Sequence, residues 1–307
     1  MKFNDPETIR QITSEWTGER FPDGRPRVSD ELLGRLSAIT LEEAYMPMYG
    51  MGYTLQYEGD FKTVKPDQRL IGRAVTAVMV PSRPDVHMAL LREGRENEGR
   101  NGFFNQWVIE SMTDGDVLVV DMCDQVTYGT YVGGNLSTAI HARSKTGGAV
   151  IWGGIRDLEQ VVNIPDIQIF YRGEHPTPIG NVMMTGMNVP TRIGRAVCLP
   201  GDVVLGTMSG VAFIPPHLAE NIACTAEKAH IRDTFSFIRM REGVYTPSQI
   251  DSGVWSPAMM EDFMGWFRTA PEAEDFQYLD FTRELERSKE PEAGKHAFDG
   301  LVHQSFS

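Results

Sequence analysis

The sequence contains little cysteine and no long apolar run, and both absences narrow the classes of protein to which it can belong. Only Cys123, Cys198 and Cys224 occur among 307 residues, and no CxxC or Cys/His pair has metal-ligand spacing. We therefore expect three reduced thiols rather than a disulfide framework. No run of about 18 apolar residues occurs, and the first residues lack the apolar core of a signal peptide. These absences predict a cytoplasmic protein without a membrane span.

Basic residues are also scarce, since 29 Lys and Arg stand against 42 Asp and Glu, for a net charge of −13. Nucleic acids are bound by basic surfaces, so the balance argues against them as the main partner. The negative charge does not exclude a small anionic metabolite as a ligand, because binding one needs only a local pocket. The motifs of phosphate-binding loops, serine hydrolases and zinc proteases are missing, because no P-loop, GxSxG or HExxH occurs.

Apolar, β-branched segments alternate with helical segments along most of the chain. Strands are predicted at residues 70–80, 116–121, 148–152, 168–171, 202–205 and 211–214. Helices are predicted after Ser29, after Thr40, over 136–146 and over 216–240, and Glu43 completes a capping box with Thr40. Several of the strands are apolar throughout, which favours a buried α/β sheet covered by helices.

The pattern divides the chain into three parts. Residues 1–35 form an N-terminal helical extension, 36–244 an α/β domain and 245–307 a C-terminal arm. Within the domain, the charged stretch 82–106 is interpreted as a solvated loop or helix face. The arm holds many aromatic residues with neither a strand pattern nor a core of their own, and we expect it to pack on the main domain or on a neighbouring subunit.

Two glycine turns precede the residues that are best suited to ligand binding or catalysis. Gly133 and Gly134 lead directly into the predicted helix, whose first amides have no intrahelical partner and favour an anion such as a carboxylate. Glycine at this turn lets the backbone approach a ligand closely. A buried strand then runs into Gly153-Gly154 and delivers Arg156 and Asp157. Arg can bind a carboxylate with two hydrogen bonds, and Asp can hold a hard divalent cation. From periodicity alone, a surface ion pair or a turn cap is the alternative.

An ordered series of motifs resembles the RraA-like family, which includes 4-hydroxy-4-methyl-2-oxoglutarate aldolases. The resemblance covers about residues 36–240. Its motifs are Arg69–Thr76 ("LvGpAvT"), Asp114–Asp121 ("pGDVlVvD"), Gly134–Leu136 with Gly153–Asp157 ("dGxvRD"), Phe170–Gly173 ("vFarG"), and Pro200–Val204 with Gly210–Pro215 ("PGDvv…GVvviP").

The resemblance implies a compact, swivelling-type α/β sandwich domain, assembled as a homotrimer or homohexamer with the site near a subunit boundary. It further implies a lyase that depends on Mg²⁺ or Mn²⁺ and acts on a 2-oxo acid. The reaction would be retro-aldol cleavage of a 4-hydroxy-2-oxo acid to pyruvate, or decarboxylation of oxaloacetate.

Carried over residue by residue, the resemblance makes Asp157 the metal ligand and Arg156 the group that binds substrate oxygens. The amides of the helix start would bind the substrate carboxylate, at Gly134, Asn135, Leu136 and Ser137. The family's aldolases carry a catalytic acidic residue that is separated from the Arg-Asp pair by twenty intervening residues, and this position is Asn135 here. Glu227 is the nearest match to a late Glu that the family offers from a partner subunit.

Two other functions stay open at this point. One is another enzyme on a hydroxy or sugar acid that uses the same metal site. The other is a non-catalytic regulatory protein, because the namesake of the family inhibits a ribonuclease through protein contact. Family regulators tend to lose the Asp after the Arg, and Asp157 is present here.

Overall fold

The computed structural model describes residues 3–145 and 147–290, which fall into two compact units, residues 3–223 and 224–290. The helices are α1 (Pro6–Ile12), α2 (Asp30–Ala38), α3 (Leu41–Gly50), α4 (Pro84–Arg92), α5 (Phe104–Glu110), α6 (Gly134–Arg143), α7 (Leu158–Val161), α8 (Ala219–Arg241), α9 (Pro247–Ile250), α10 (Pro257–Phe267) and α11 (Thr282–Arg287). Within the described ranges, none of these helices is long and apolar enough to span a membrane.

The strands all lie in the first unit. They are β1 (Tyr57–Glu58), β2 (Lys62–Thr63), β3 (Leu70–Pro81), β4 (Asp116–Asp121), β5 (Gly148–Ile155), β6 (Gln168–Glu174), β7 (Val182–Met187), β8 (Thr191–Ile193), β9 (Ala196–Cys198), β10 (Val203–Thr207) and β11 (Gly210–Ile214). One sheet has the order β1-β11-β10-β3-β4-β5-β6-β2, with β7 also beside β3, and β8 and β9 form a separate hairpin.

The central strands β3, β4, β5 and β6 run parallel, and the other strands of the sheet pair antiparallel. Val75 pairs with Leu118, and Val119 pairs with Val150 in this register. Parallel strands end at a common edge, and open α/β sheets bind ligands outside the carboxyl ends of their strands. The segments that follow β4, β5 and β6 are therefore neighbours at this edge.

Alternate residues of the central strands face two different hydrophobic cores. Leu118 and Val120 of β4 belong to a core that includes Trp107 of α5 and Ile140 of α6. Val117 and Val119 belong to the opposite core, which is completed largely by the β8–β9 hairpin, β10 and β11. This two-residue alternation is the geometry of a strand buried on both sides, as the apolar run predicted.

The expected α/β class is confirmed, and the capping box of Thr40 and Glu43 is present at the start of α3. The charged stretch 82–106 is largely helical, because it contains α4, a π-helical turn (Glu93–Asn97) and the start of α5. Its apolar residues Leu90 and Leu91 are buried in the main core. This stretch has many charged and few apolar residues, so its apolar residues form no clear helical repeat. The sequence therefore did not show which face of the helix would be buried.

The second unit has a hydrophobic core of its own. Phe235 of α8 packs against Trp255 and against Phe263 of α10, with ring centroids 5.7 and 5.4 Å apart. Phe281 lies edge-on to Phe263 at 4.9 Å. The premise that the C-terminal aromatics lack a core is therefore wrong for the described residues. The cluster combines side chains from several separate helices and turns, so no periodic pattern within one segment could predict it.

Candidate functional site

The chain turns sharply after β5 and places Arg156 and Asp157 at the carboxyl edge of the sheet. Asp157 has a left-handed backbone with φ of 57°, a conformation that Asp tolerates better than most residues. Its carbonyl oxygen accepts the amide N–H groups of Gln160 (2.8 Å) and Val161 (3.0 Å), so Asp157 opens α7. Its carboxylate points to the start of α6, where the Gly134 N–H donates to Oδ2 over 3.1 Å.

Gly133 immediately precedes α6 and lies against this pair of residues. A Cβ atom at position 133 would be 2.3 Å from Asp157 Oδ2 and 2.8 Å from Arg156 Cγ. A larger residue here would therefore displace the Asp157 and Arg156 side chains from their present positions. The sequence predicted a close backbone approach at this turn, and here the backbone approaches the chain's own Arg-Asp pair.

The start of α6 supplies two free backbone donors. No side chain caps the helix, the Gly134 amide is taken by Asp157, and the Ser137 amide donates to Gly133 O over 2.9 Å. The amides of Asn135 and Leu136 have no partner within residues 3–145 and 147–290. A helix start with two unpaired N–H groups favours a bound anion.

The side chains of the predicted cradle point in different directions. Asn135 is exposed, Leu136 packs on the main core, and Ser137 is fully buried, with no partner for its Oγ among the residues that the structure describes. The structure thus brings the amides of Asn135 and Leu136 to the site. It leaves the Ser137 hydroxyl within the protein, and Glu227 lies buried on α8 in the second unit.

Arg156 is fixed at its stem and lies beside two further residues. Its amide donates to Val132 O over 3.0 Å, and its Nε is 3.4 Å from Asp157 Oδ2. Nη1 lies 3.5 Å from Thr130 Oγ1, which itself donates to Thr177 O over 2.7 Å. The guanidinium therefore retains donors that a substrate can use.

Sequence reasoning missed Thr130 and Gln160 as members of this site. The Gln160 Oε1 atom packs so close to Gly134 that a Cβ there would be 2.1 Å from it. The glycine pair at 133 and 134 signalled a tight approach, but no pattern in the sequence identified its partners. Thr130 lies among residues that only the fold brings next to Arg156.

The residues present fit a hydrated divalent cation. The Asp157 side chain is 37% exposed, and its Oδ1 atom has no hydrogen bond in the described part of the chain. Among the described residues, no group of three or more His, Cys, Asp or Glu could enclose a metal. Mg²⁺ usually keeps several waters and is held by one or two carboxylates, so a single Asp suits it better than it suits Zn²⁺.

The fold and this edge of the sheet define the class of protein. A family model described as "RraA-like: Aldolase/RraA" matches residues 26–213, more than half of the chain, and the chain belongs to this family. A curated relative from Halalkalibacterium halodurans, "Putative 4-hydroxy-4-methyl-2-oxoglutarate aldolase", is 34% identical over 129 residues. The match covers 39% of this chain and 55% of the relative, so the chain spans about half of that protein.

Two solved structures share the fold. One is Streptomyces coelicolor RraAS2, described as an unusual member of the RNase ES inhibitor RraA protein family. It has 23% identity and a TM-score of 0.58, over 70% of this chain and 99% of that one. The other is an uncharacterized protein from Pseudomonas syringae pv. tomato, with 19% identity and a TM-score of 0.58, over 73% and 98%. The predicted family and fold class are thereby confirmed.

Proposed function

We propose that the chain is a divalent-metal-dependent carbon–carbon lyase that acts on a 2-oxo acid. One observation carries the proposal: Arg156 and Asp157 lie at the start of α6, at the carboxyl edge of the sheet, where the Asn135 and Leu136 amides are unpaired among the described residues. This arrangement combines a carboxylate for a hard cation, a guanidinium for substrate oxygens and an anion-binding helix start. The aldolase name of the H. halodurans relative supports the same class.

Each group has a distinct role in the proposed reaction. Asp157 would hold Mg²⁺ or Mn²⁺, which when bound supplies Lewis-acid polarisation of the 2-oxo group. The amides of Asn135 and Leu136 bind the substrate carboxylate adjacent to the oxo group. The Arg156 guanidinium binds the substrate oxygens and stabilises the enolate charge as it develops.

The missing acid at position 135 bears on the kind of bond cleaved. Retro-aldol cleavage requires a base for the substrate hydroxyl, and the amide of Asn135 cannot ionise. Decarboxylation of an oxaloacetate-type acid requires no such base. The Asn135 side chain is exposed and can orient a water, which would have to act as the base for the aldol reaction. Both reactions belong to the proposal, and Asn135 favours decarboxylation as the faster one.

The proposal includes an oligomeric state. Two alternative functions are distinguished by the test described below. We expect a homotrimer or homohexamer in solution and a small 2-oxo or hydroxy acid as the substrate. An enzyme acting on a sugar acid would use the same Arg156 and Asp157. A regulatory protein would need neither a metal nor turnover.

The test follows pyruvate release by the purified protein, stripped of metal and supplied with Mg²⁺ or Mn²⁺, from oxaloacetate and from 4-hydroxy-4-methyl-2-oxoglutarate. We expect metal-dependent pyruvate, and a loss of at least about hundredfold in kcat for Asp157→Asn. Asn tolerates the left-handed backbone and can still accept the Gly134 amide, so the fold is retained.

Asp166→Asn is the matched control. Asp166 is also an exposed Asp with a left-handed backbone (φ of 51°), but it precedes β6 and so lies at the opposite edge of the sheet. We expect full activity for this variant. Metal-independent activity, or an Asp157→Asn variant as active as Asp166→Asn, would contradict the assignment. No pyruvate from either substrate would redirect the search to sugar acids and protein partners.

A further inference from the structure

His175 lies beside the Arg156 turn at the end of the neighbouring parallel strand. β6 ends at Glu174, and the His175 amide donates to the carbonyl of Ile155, the residue before Arg156, over 3.1 Å. The carboxyl ends of β5 and β6 thus deliver Arg156 and His175 side by side. None of the motifs that mark the proposed lyase site includes His175.

The hydrogen bonds around His175 fix the tautomer of its neutral ring. Its Nδ1 atom is 3.3 Å from the Tyr128 amide, 3.4 Å from the Thr177 amide and 2.9 Å from Thr177 Oγ1. Backbone amides can only donate, so Nδ1 is an acceptor and the proton lies on Nε2. Nε2 has no hydrogen-bond partner among the residues described, and its N–H remains available to a ligand.

Tyr128 covers this histidine in a conformation that large side chains rarely adopt. It has φ of 58° and is 70% exposed, and its ring centroid lies 5.2 Å from that of His175. Its carbonyl oxygen accepts the Asn181 side-chain amide over 3.4 Å. A bulky residue held with positive φ and exposed to solvent is an outlier that directs attention to function.

Thr130 connects the two groups of residues. Its hydroxyl donates to the carbonyl of Thr177 and lies 3.5 Å from Arg156 Nη1. The Arg156 side chain therefore has Asp157 near its Nε and the Thr130–Thr177 segment near its Nη1. Arg156 and His175 are thus linked through Thr130 and Thr177, on neighbouring segments at the carboxyl ends of β5 and β6.

We propose that His175 and Tyr128 form the subsite for the distal carboxylate of a dicarboxylic 2-oxo acid. This inference rests on the proposed function, because it assumes that the oxo-acid end binds at Arg156 and Asp157. The Nε2–H group of His175 donates to the distal carboxylate, and the Tyr128 ring shields that hydrogen bond from water. The inference assigns the residues that would distinguish a 2-oxo acid with a second carboxylate, such as both test substrates, from one without it.

Calorimetric titration with two ligands that share a five-carbon skeleton tests the subsite in the presence of Mg²⁺. 2-Oxoglutarate ends in a carboxylate and 2-oxopentanoate ends in a methyl group, and neither has the 4-hydroxyl that retro-aldol cleavage requires. We expect the protein to bind 2-oxoglutarate at least about tenfold more tightly, as a hydrogen bond to a charged group provides. His175→Leu is expected to abolish this preference, and His175→Gln to retain part of it, since the Gln amide donates from a similar position.

His87→Leu is the matched control for the loss of a histidine. The His87 ring also pairs its Nδ1 with a hydroxyl, that of Ser82 at 2.9 Å, and packs on an aromatic ring, that of Phe104. We expect the ligand preference to persist in this variant. An equal loss of affinity for both ligands in His175→Leu would show a structural role and overturn the subsite.

The outcomes separate this inference from the proposed function. If pyruvate is released from substrates but His175→Leu keeps the preference for 2-oxoglutarate, the subsite is wrong and the lyase assignment stands. If the preference depends on His175 but no pyruvate is released, the subsite stands and the reaction is wrong. If the protein binds neither ligand, the subsite is wrong, and pyruvate release alone decides the lyase assignment.

Discussion

The carboxyl group of Asp202 lies outside the candidate site and affects the stability of the fold. Asp202 is 2% exposed, and the Leu199 amide donates to its Oδ2 over 2.7 Å. No cationic side chain pairs with it in the described part of the chain. Burial raises the pKa of Asp202 to about 8, although the hydrogen bond from Leu199 opposes the shift.

This shift predicts how stability depends on pH. The folded state keeps the proton on Asp202 up to about pH 8, whereas the unfolded chain releases it near pH 4. Between these values the unfolded state binds fewer protons, so this group lowers the free energy of unfolding as the pH rises. The slope is at most about 1.4 kcal/mol for each pH unit.

We therefore expect Asp202→Asn to become more stable relative to the native chain as the pH is raised from 5 to 8. The Asn side chain has no carboxyl to ionise and still offers an oxygen to the Leu199 amide. Urea unfolding at four pH values measures the difference, with the exposed Asp166→Asn as a control. Parallel stability curves for Asp202→Asn and the native chain would contradict the expected pKa.

At the scale of elements, a buried ion pair ties the N-terminal segment to the start of β4. The guanidinium of Arg25 meets the carboxylate of Asp116 at two points, Nη1–Oδ1 at 2.8 Å and Nη2–Oδ2 at 3.0 Å. Both side chains are almost completely buried, and the Thr113 amide also donates to Asp116. The pair joins residues that lie far apart in the sequence, so it specifies how the segment docks on the sheet.

Arg25→Met is expected to lower the free energy of unfolding by about 3–5 kcal/mol, because Asp116 would stay buried without a counter-charge. Arg27→Met is the control from the same turn, since Arg27 pairs with Glu19 on the surface. Exposed pairs contribute about 1 kcal/mol or less. Denaturant unfolding measures both, and a similar small effect for the two variants would contradict the role given to Arg25.

At the scale of the whole molecule, the two units have separate hydrophobic cores. The first is built on the two faces of the sheet, and the second on the aromatic cluster around Phe263. Chains with more than one compact unit depart from two-state unfolding. We expect two unfolding transitions by calorimetry, each sensitive to its own core.

Phe263→Ala tests this expectation. Phe263 is fully buried, and its loss should cost about 3–5 kcal/mol in the transition of the second unit alone. Phe237→Ala, an exposed position on α8, serves as the control. Arg25→Met should shift only the other transition. A single transition that moves with both substitutions would mean that the units unfold together.

Local patterns in the sequence were sufficient to predict several helices and strands. The apolar runs predicted β3 to β6, and the Thr40–Glu43 spacing predicted the start of α3, because the side-chain period and the cap are properties of neighbouring residues. The glycine turn at 133–134 and the Arg156-Asp157 pair could each be recognised in the sequence, but nothing in the local pattern connected them. Resemblance to a known family, rather than periodicity, gave them a shared function.

The tertiary structure alone decided which residues meet. Gly133 packs against Asp157, and His175 lies beside Ile155, only because parallel strands end at one edge. The burial of Leu90 and Leu91 and the separate aromatic core also depend on contacts between distant segments. Such contacts follow from strand register and packing, which involve residues too far apart in the chain for any local pattern to record them.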